Sequence, residues 1–434
     1  MTPITRRRFI LLAGGAGVAG CAGARSSDSN TGVSGPRPGG SAASDISPPT
    51  TAPPSSAVIT TTTVPAALVP DDRVLVVVEL TGGNDAINTL PPTVGAYRDL
   101  RPSLALGDDE LVLAGLDGYA LHAALAPIVP LLDAGVLSII AGIGWNDPDR
   151  SHFASLDRWN RADRIEEPYG WVGRWLDTLD ADPSALGAVG LGSTNELMKG
   201  AQRSATLIAA AETFGFPAGL SNADIRRLTA PVSADPMLAA AQRAFGDAVG
   251  AVAEFDPIAD AVRAAAGNTG DPLIATSGPF STGLAVAAEL ILSDVDTRVV
   301  SVAGTGFDTH AQQRAVHGDL LADLAVGLAT FWATLEAAGQ ADRVLLVTTS
   351  EFGRRATENG SSGCDHGAAG VSFALGRDVA PGMHGTIDLT DLLDGDLRPV
   401  IDPRAMFTGC LDWLGGDVDR ILGARHDADF KLLA

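Results

Sequence analysis

Cysteine is nearly missing from the 434 residues: only Cys21, Cys364 and Cys410 occur. That excludes a disulfide scaffold, and a chain of this length needs none to build a core. If Cys21 is acylated, as argued below, Cys364 and Cys410 form the one pair left, and two unpaired thiols are the simpler expectation. Basic charge is also short. Against 52 acidic residues stand 30 Lys and Arg, a formal charge of −22, and without Arg6, Arg7 and Arg8 of the N-terminal segment the value is −25. Such a surface repels nucleic acid and anionic headgroups, so neither is expected as a partner. It repels an anionic substrate too, unless bound cations reverse the sign locally. After the N-terminal segment no apolar stretch suggests a membrane span, which takes about 20 residues. No repeat at a solenoid period is visible.

The N-terminus is the most specific local signal. Thr5-Arg6-Arg7-Arg8-Phe9-Ile10 matches the twin-arginine export signature, and a mild apolar run follows over 11–19. Its end, Val18-Ala19-Gly20-Cys21, is similar to a lipoprotein box, in which Cys21 is lipidated and becomes the first residue. The expectation is therefore a signal over 1–21, export by the twin-arginine machinery, and a lipid anchor on the outer side of the plasma membrane. Cleavage nearby with release of the protein is the alternative. Residues 22–70 are Ser, Thr, Gly, Pro and Ala with few charges, and read as a disordered spacer.

The folded part is expected over 71–434. Residues 73–80 (RVLVVVEL), 136–143 (VLSIIAGI), 297–303 (TRVVSVA) and 343–348 (RVLLVT) are apolar without polar alternation. Such runs suit strands buried on both faces. Helical patterns lie between them, at 123–134, 153–164, 236–266, 282–293 and 312–338. The alternation predicts an α/β, doubly wound, mostly parallel sheet with helices on both faces. The Ala-rich stretch over 180–280 is expected to hold an insertion or cap.

Each buried run is followed by a polar, Gly-bearing loop. Asn84-Asp85 follows the first, Arg150-Ser151-His152 the second, Asp308-Thr309-His310 the third, and Ser350-Glu351 with Arg354 and then Asp365-His366 the fourth. Ligands of parallel sheets gather at the carboxyl ends of the strands, so these loops are predicted to share one rim. Asp85, Asp308, His310, Asp365 and His366 offer mixed oxygen and nitrogen ligands, which suit zinc or manganese, as one or two ions. Ser151 stands at a predicted helix start, and a cation beside it would make it a nucleophile toward phosphorus or sulfur. Arg150 or Arg354 could clamp the non-bridging oxygens.

Each residue also has a structural reading. Asp85 after two glycines can close a turn, and Ser151 can cap a helix. Glu351 can bind metal, orient a ligand or pair with Arg354. His122 is expected to pack or cap, His317 and His426 to lie at the surface, and His384 stays ambiguous.

The segments LTGGNDAINTLPP, LHAALAPIVPLLDAG, NDPDRSHFASLDRW, FDTHAQQ, SEFGRRATENGSSGCDHG and LRPVIDPRAMF occur in that order over 80–407. The chain resembles in them the bacterial domain of unknown function 1501 family, related to the alkaline-phosphatase and sulfatase superfamily. The resemblance implies a metal-dependent hydrolase of phosphate or sulfate esters, acting on small molecules or polymers. It implies that Asp85, Asp365 and His366 hold one metal beside Ser151, and that Asp308 and His310 hold another, completed by Glu351, His152 or His384. No Cys-x-Pro-x-Arg sequence occurs, which speaks against a modified-cysteine sulfatase. Two other readings stay open: a non-catalytic, surface-tethered binding protein with at most one structural metal, and a partner protein for other exported enzymes.

Overall fold

A computed structural model describes residues 72–180, 184–192, 194, 196–209, 227, 233–268, 278–293 and 295–434. The expected export signal, Cys21 and the 22–70 spacer lie outside them, as does part of the expected cap.

All four apolar runs are strands. They are β1 (Val74–Thr81), β2 (Leu137–Ile143), β5 (Val299–Thr305) and β6 (Val344–Thr349). With β3 (Ala188–Leu191), β4 (Thr206–Ile208), β7 (Gly370–Leu375) and β8 (Gly382–Gly385) they form one eight-stranded sheet, in the order β8-β2-β7-β6-β1-β5-β3-β4. Every pairing in it is parallel except those of β7, which runs against both β2 and β6.

Burial on two faces explains the apolar runs, because side chains alternate across a strand. Leu75 and Val77 of β1 join the core that holds Trp171 and Trp175 of the helix Trp171–Leu176 and Phe407 and Leu411 of the helix Pro403–Leu414. Val74, Val76 and Val78 join the opposite core, with Leu284 of the helix Pro279–Leu292 and Leu324, Leu328 and Trp332 of the helix Gln313–Ala337. Each such side chain contributes about 1.5–3 kcal/mol by leaving water. The last of these helices is long and apolar enough to cross a bilayer by length and composition. Here its apolar residues pack into that core instead.

The reversed strand matters for the site. A strand parallel to β6 would require a crossover away from the carboxyl rim. Because β7 is antiparallel, the chain leaves β6 at Thr349, stays at the rim through residues 350–369, and enters β7 at Gly370. Asp365 and His366 lie in that loop.

Two buried cysteines, Cys364 and Cys410, are unpaired. Burial pushes the Cys364 thiol up to about 12, so it is inert as a nucleophile at neutral pH.

Candidate metal centre

Close backbone approach brings the loops together. Gly82, just past β1, has φ +120°, and a Cβ there would sit 2.3 Å from the Asp308 backbone nitrogen. Only glycine combines that φ with that proximity. Arg354 ties the same loops from below. Its fully buried guanidinium donates to the carbonyls of Gly82, Gly83 (2.8 Å), Phe307 (2.9 Å) and Cys364 (3.0 Å), and to Asp308 Oδ1 (2.8 Å). Asn359 fixes the outer loop: its amide nitrogen donates to the His310 carbonyl (2.9 Å) and Asp365 Oδ1 (3.1 Å). Sequence reasoning missed Asn359; its only signal was an amide inside a Gly/Ser loop.

Three histidines then surround one carboxylate. His366 Nε2 lies 3.1 Å and His310 Nε2 3.0 Å from Asp308 Oδ1, and the two imidazole nitrogens are 2.9 Å apart. His152 Nε2 stands 3.5 Å from Asp308 Oδ2. His152, Asp308 and His366 form a group geometrically able to hold a metal ion, each offering one ligand atom within 4.8 Å of the others.

The outer ring nitrogens decide the tautomers. His366 Nδ1 faces the Arg150 carbonyl at 2.7 Å, an atom that only accepts, so Nδ1 carries the hydrogen. His152 Nδ1 faces Glu351 Oε1 at 2.8 Å, and His310 Nδ1 faces Asp365 Oδ1 at 3.1 Å. In the neutral rings all three Nε2 atoms therefore present bare lone pairs to the Asp308 carboxylate. Lone pairs gathered this closely repel unless a cation or a proton lies among them. Ligands on a tetrahedral zinc, with bonds of about 2.0–2.1 Å, sit roughly 3.3 Å apart, close to the spacings found. A carboxylate or carbonyl behind each ligating imidazole is the usual means of fixing ring and tautomer.

Burial alone would push the Asp308 carboxyl up, but the hydrogen bond and the positive charge of Arg354 outweigh it and hold it at about 2. It is ionised throughout the physiological range. Asp308, His310 and Asp365 are also about half exposed, so the centre opens to solvent.

The remaining expected residues have other places. Asp85 is fully buried; it accepts from both terminal nitrogens of Arg101, from Gln313 and from the Ile87 backbone. Burial opposes its charge, yet Arg101 more than compensates and holds the carboxyl below its usual range. Its oxygens are taken, and it ligates nothing at this centre. Asp365 stands behind His310, as a partner of that ring's outer nitrogen. Asn84 is buried against His317 (2.9 Å) and Ser350. Arg354 clamps the protein's own loops, and Arg150 is paired with Asp396 (Nε 3.0 Å), so neither presents a free fork to an anion. Glu351 is wholly buried behind His152. His384 lies on edge strand β8, bonded to the Ala380 carbonyl at 3.0 Å and packed on Phe430. His317, expected at the surface, is buried. Ser151 occupies the N-cap position of the helix His152–Arg161, is exposed, and makes no side-chain cap bond. The capping role is therefore not filled by its hydroxyl.

The family described as "Protein of unknown function (DUF1501)" matches residues 157–433. No curated protein matches the chain. Among solved structures, a protein in the alkaline phosphatase superfamily from Vibrio parahaemolyticus is 9% identical, with a TM-score of 0.38, over 82% of this chain and 69% of that one. The lipoteichoic acid synthase LtaP from Listeria monocytogenes is 9% identical, TM-score 0.32, over 83% and 74%. A phosphonate monoester hydrolase from Silicibacter pomeroyi is 10% identical, TM-score 0.36, over 83% and 78%.

Proposed function

The chain belongs to the DUF1501 family, and on that premise we propose that it is an exported, metal-dependent hydrolase of phosphate or sulfate esters. The observation that carries this reading is the convergence of the bare Nε2 atoms of His152, His310 and His366 on the ionised Asp308, at a solvent-open rim. His152, Asp308, His310 and His366 would hold one zinc or manganese ion. Bound there, the cation would supply positive charge to an ester's non-bridging oxygens and lower the pKa of a neighbouring hydroxyl.

Ser151 is the nucleophile in this reading. It sits between Arg150, whose carbonyl orients His366, and His152 itself, and its hydroxyl is not spent on capping. Its Oγ attacks phosphorus or sulfur as the bond to the alcohol oxygen breaks. The alcohol leaves with a proton, and water then cleaves the seryl ester in the reverse sense. Backbone N–H groups at the start of the same helix would favour the anionic oxygens. Export by the twin-arginine route and anchoring through Cys21 belong to the same proposal, supported by the motif at residues 5–10 and the box ending at Cys21.

The test is a screen of phosphate mono- and diesters and sulfate esters with zinc or manganese, beside Ser151→Ala. That variant is expected to keep the metal and lose turnover. Full turnover in it would remove Ser151 from the mechanism.

One observation favours a second reading, a surface-tethered binding protein with a single metal. Both candidate anion clamps, Arg150 and Arg354, are occupied within the protein. Metal retention with no turnover on any ester class would select it.

A further inference from the structure

Beside Glu351, whose Oε1 faces His152 Nδ1, lies a cavity of about 20 Å3. Glu79, Trp159, Asn160, Ser350 and Glu351 are among its lining residues. The volume admits one small occupant, since a water needs roughly 10–15 Å3 by this measure. Two carboxylates line it: Glu79 on β1, opposite Thr349 in the β1–β6 register, and Glu351, two residues past the end of β6. Glu351 Oε1 is used, by the Gly82 N–H (2.8 Å) and by His152 Nδ1 (2.8 Å). Its other oxygen, Oε2, is buried with no hydrogen-bond partner. Glu79 Oε1 accepts from the Ser301 hydroxyl.

We propose that this cavity is a cation site separate from the histidine centre, in which the carboxylates of Glu79 and Glu351 hold one hard divalent ion, Mg2+ or Ca2+. An unpaired carboxylate oxygen in a buried position is costly, and a cation satisfies it. No Arg or Lys lines the cavity to do so instead. The donors are oxygens, because the one nearby imidazole is engaged on the opposite oxygen of Glu351. Oxygen donors in a small space select magnesium or calcium over zinc. Burial, with the Glu351 charge adding to it, pushes Glu79 up to about 7 against the Ser301 hydrogen bond. Through Glu351 and His152 the ion would also brace the front centre, and the site stands whether or not that centre hydrolyses esters.

The experiment uses the full chain, stripped of metal, reloaded with one equivalent of zinc, and titrated calorimetrically with Mg2+ and with Ca2+. One equivalent of either is expected to bind, to bind equally well in His366→Ala, and to bind at least tenfold more weakly in Glu79→Gln while zinc is retained. Glu79→Asp, which pulls the carboxylate back by one methylene, is expected to weaken binding as well and covers a folding failure of the first variant. Unchanged binding in the folded Glu79 variants overturns the site. So does a wild-type chain that takes up neither ion, which would leave the cavity to a water or a shared proton.

Discussion

Arg354 Nη2 and Asp308 Oδ1 are 2.8 Å apart, and the same guanidinium holds the carbonyls of Gly83, Phe307 and Cys364. One buried cation thus sets the position of a ligating carboxylate and of the loops on both sides of it. Removing it leaves several buried acceptors unpaired at once. Arg354→Gln is expected to cost about 3–5 kcal/mol in denaturant unfolding, the range for breaking a buried pair. In whatever remains folded, zinc affinity should fall by about 10–100-fold, as for other lost supports of a ligand. A variant with wild-type stability would show that the guanidinium is not the tie between the loops.

Asp85 and Arg101 supply the complementary case. Both are fully buried, and the carboxylate oxygens have no free lone pair for a metal. Asp85→Asn is expected to lose about 3–5 kcal/mol of stability, with zinc stoichiometry unchanged in the folded fraction. Loss of the metal from a folded Asp85→Asn protein would return this residue to the ligand set.

Much of this arrangement was legible in the sequence. The Val-rich runs over 73–80 and 343–348 could only be strands covered on both sides, and the residues following them do meet at one rim. The direction of β7 was not legible, because a short apolar run such as GVSFAL reads the same in either sense. Nor was the division of labour among the acids and arginines. An Asp after two glycines has the same chemistry whether it meets a metal or a guanidinium, and what separates Asp85 from Asp308 is the position of Arg101, sixteen residues on. The burial of His317 was not legible either, because the face of its helix that meets Asn84 and Phe307 is set by the packing of distant loops.

The histidine centre makes a direct prediction about metal content. His366→Ala and His310→Ala should each lower zinc affinity by at least about tenfold, whereas His384→Ala should leave it unchanged, since His384 is held at the sheet edge. The metal should also stabilise the fold by mass action, about 2.7 kcal/mol at a free concentration of 100 Kd. A zinc-selective chelator is therefore expected to lower Tm in the wild type and to move it much less in His366→Ala. Equal responses in the two proteins would mean that the metal sits elsewhere.

His317 gives the acid side of the stability profile. It is buried against Asn84 and Thr89, with His122 and Phe307 against its ring, and burial pulls its pKa down from 6.5 to about 4. Asp85 opposes the shift, while His122, Arg101 and Arg354 reinforce it. The folded protein therefore keeps the ring neutral where the unfolded chain has already taken up a proton. The stability that goes with neutral His317 is fully present above pH 6.5 and is lost as pH falls toward 4. Between pH 7 and pH 5 this amounts to about 2 kcal/mol, at roughly 1.4 kcal/mol per unit below 6.5. Asp85, whose folded pKa lies below 3.8, adds its own loss only in more acid solution. Glu79, pushed up to about 7, acts in the opposite sense over the same interval, so the test is differential: on going from pH 7 to pH 5 the denaturant midpoint of His317→Gln, whose amide does not titrate, should rise relative to that of the wild type. If the substitution leaves the gap between the two midpoints unchanged, the acid sensitivity belongs to another group.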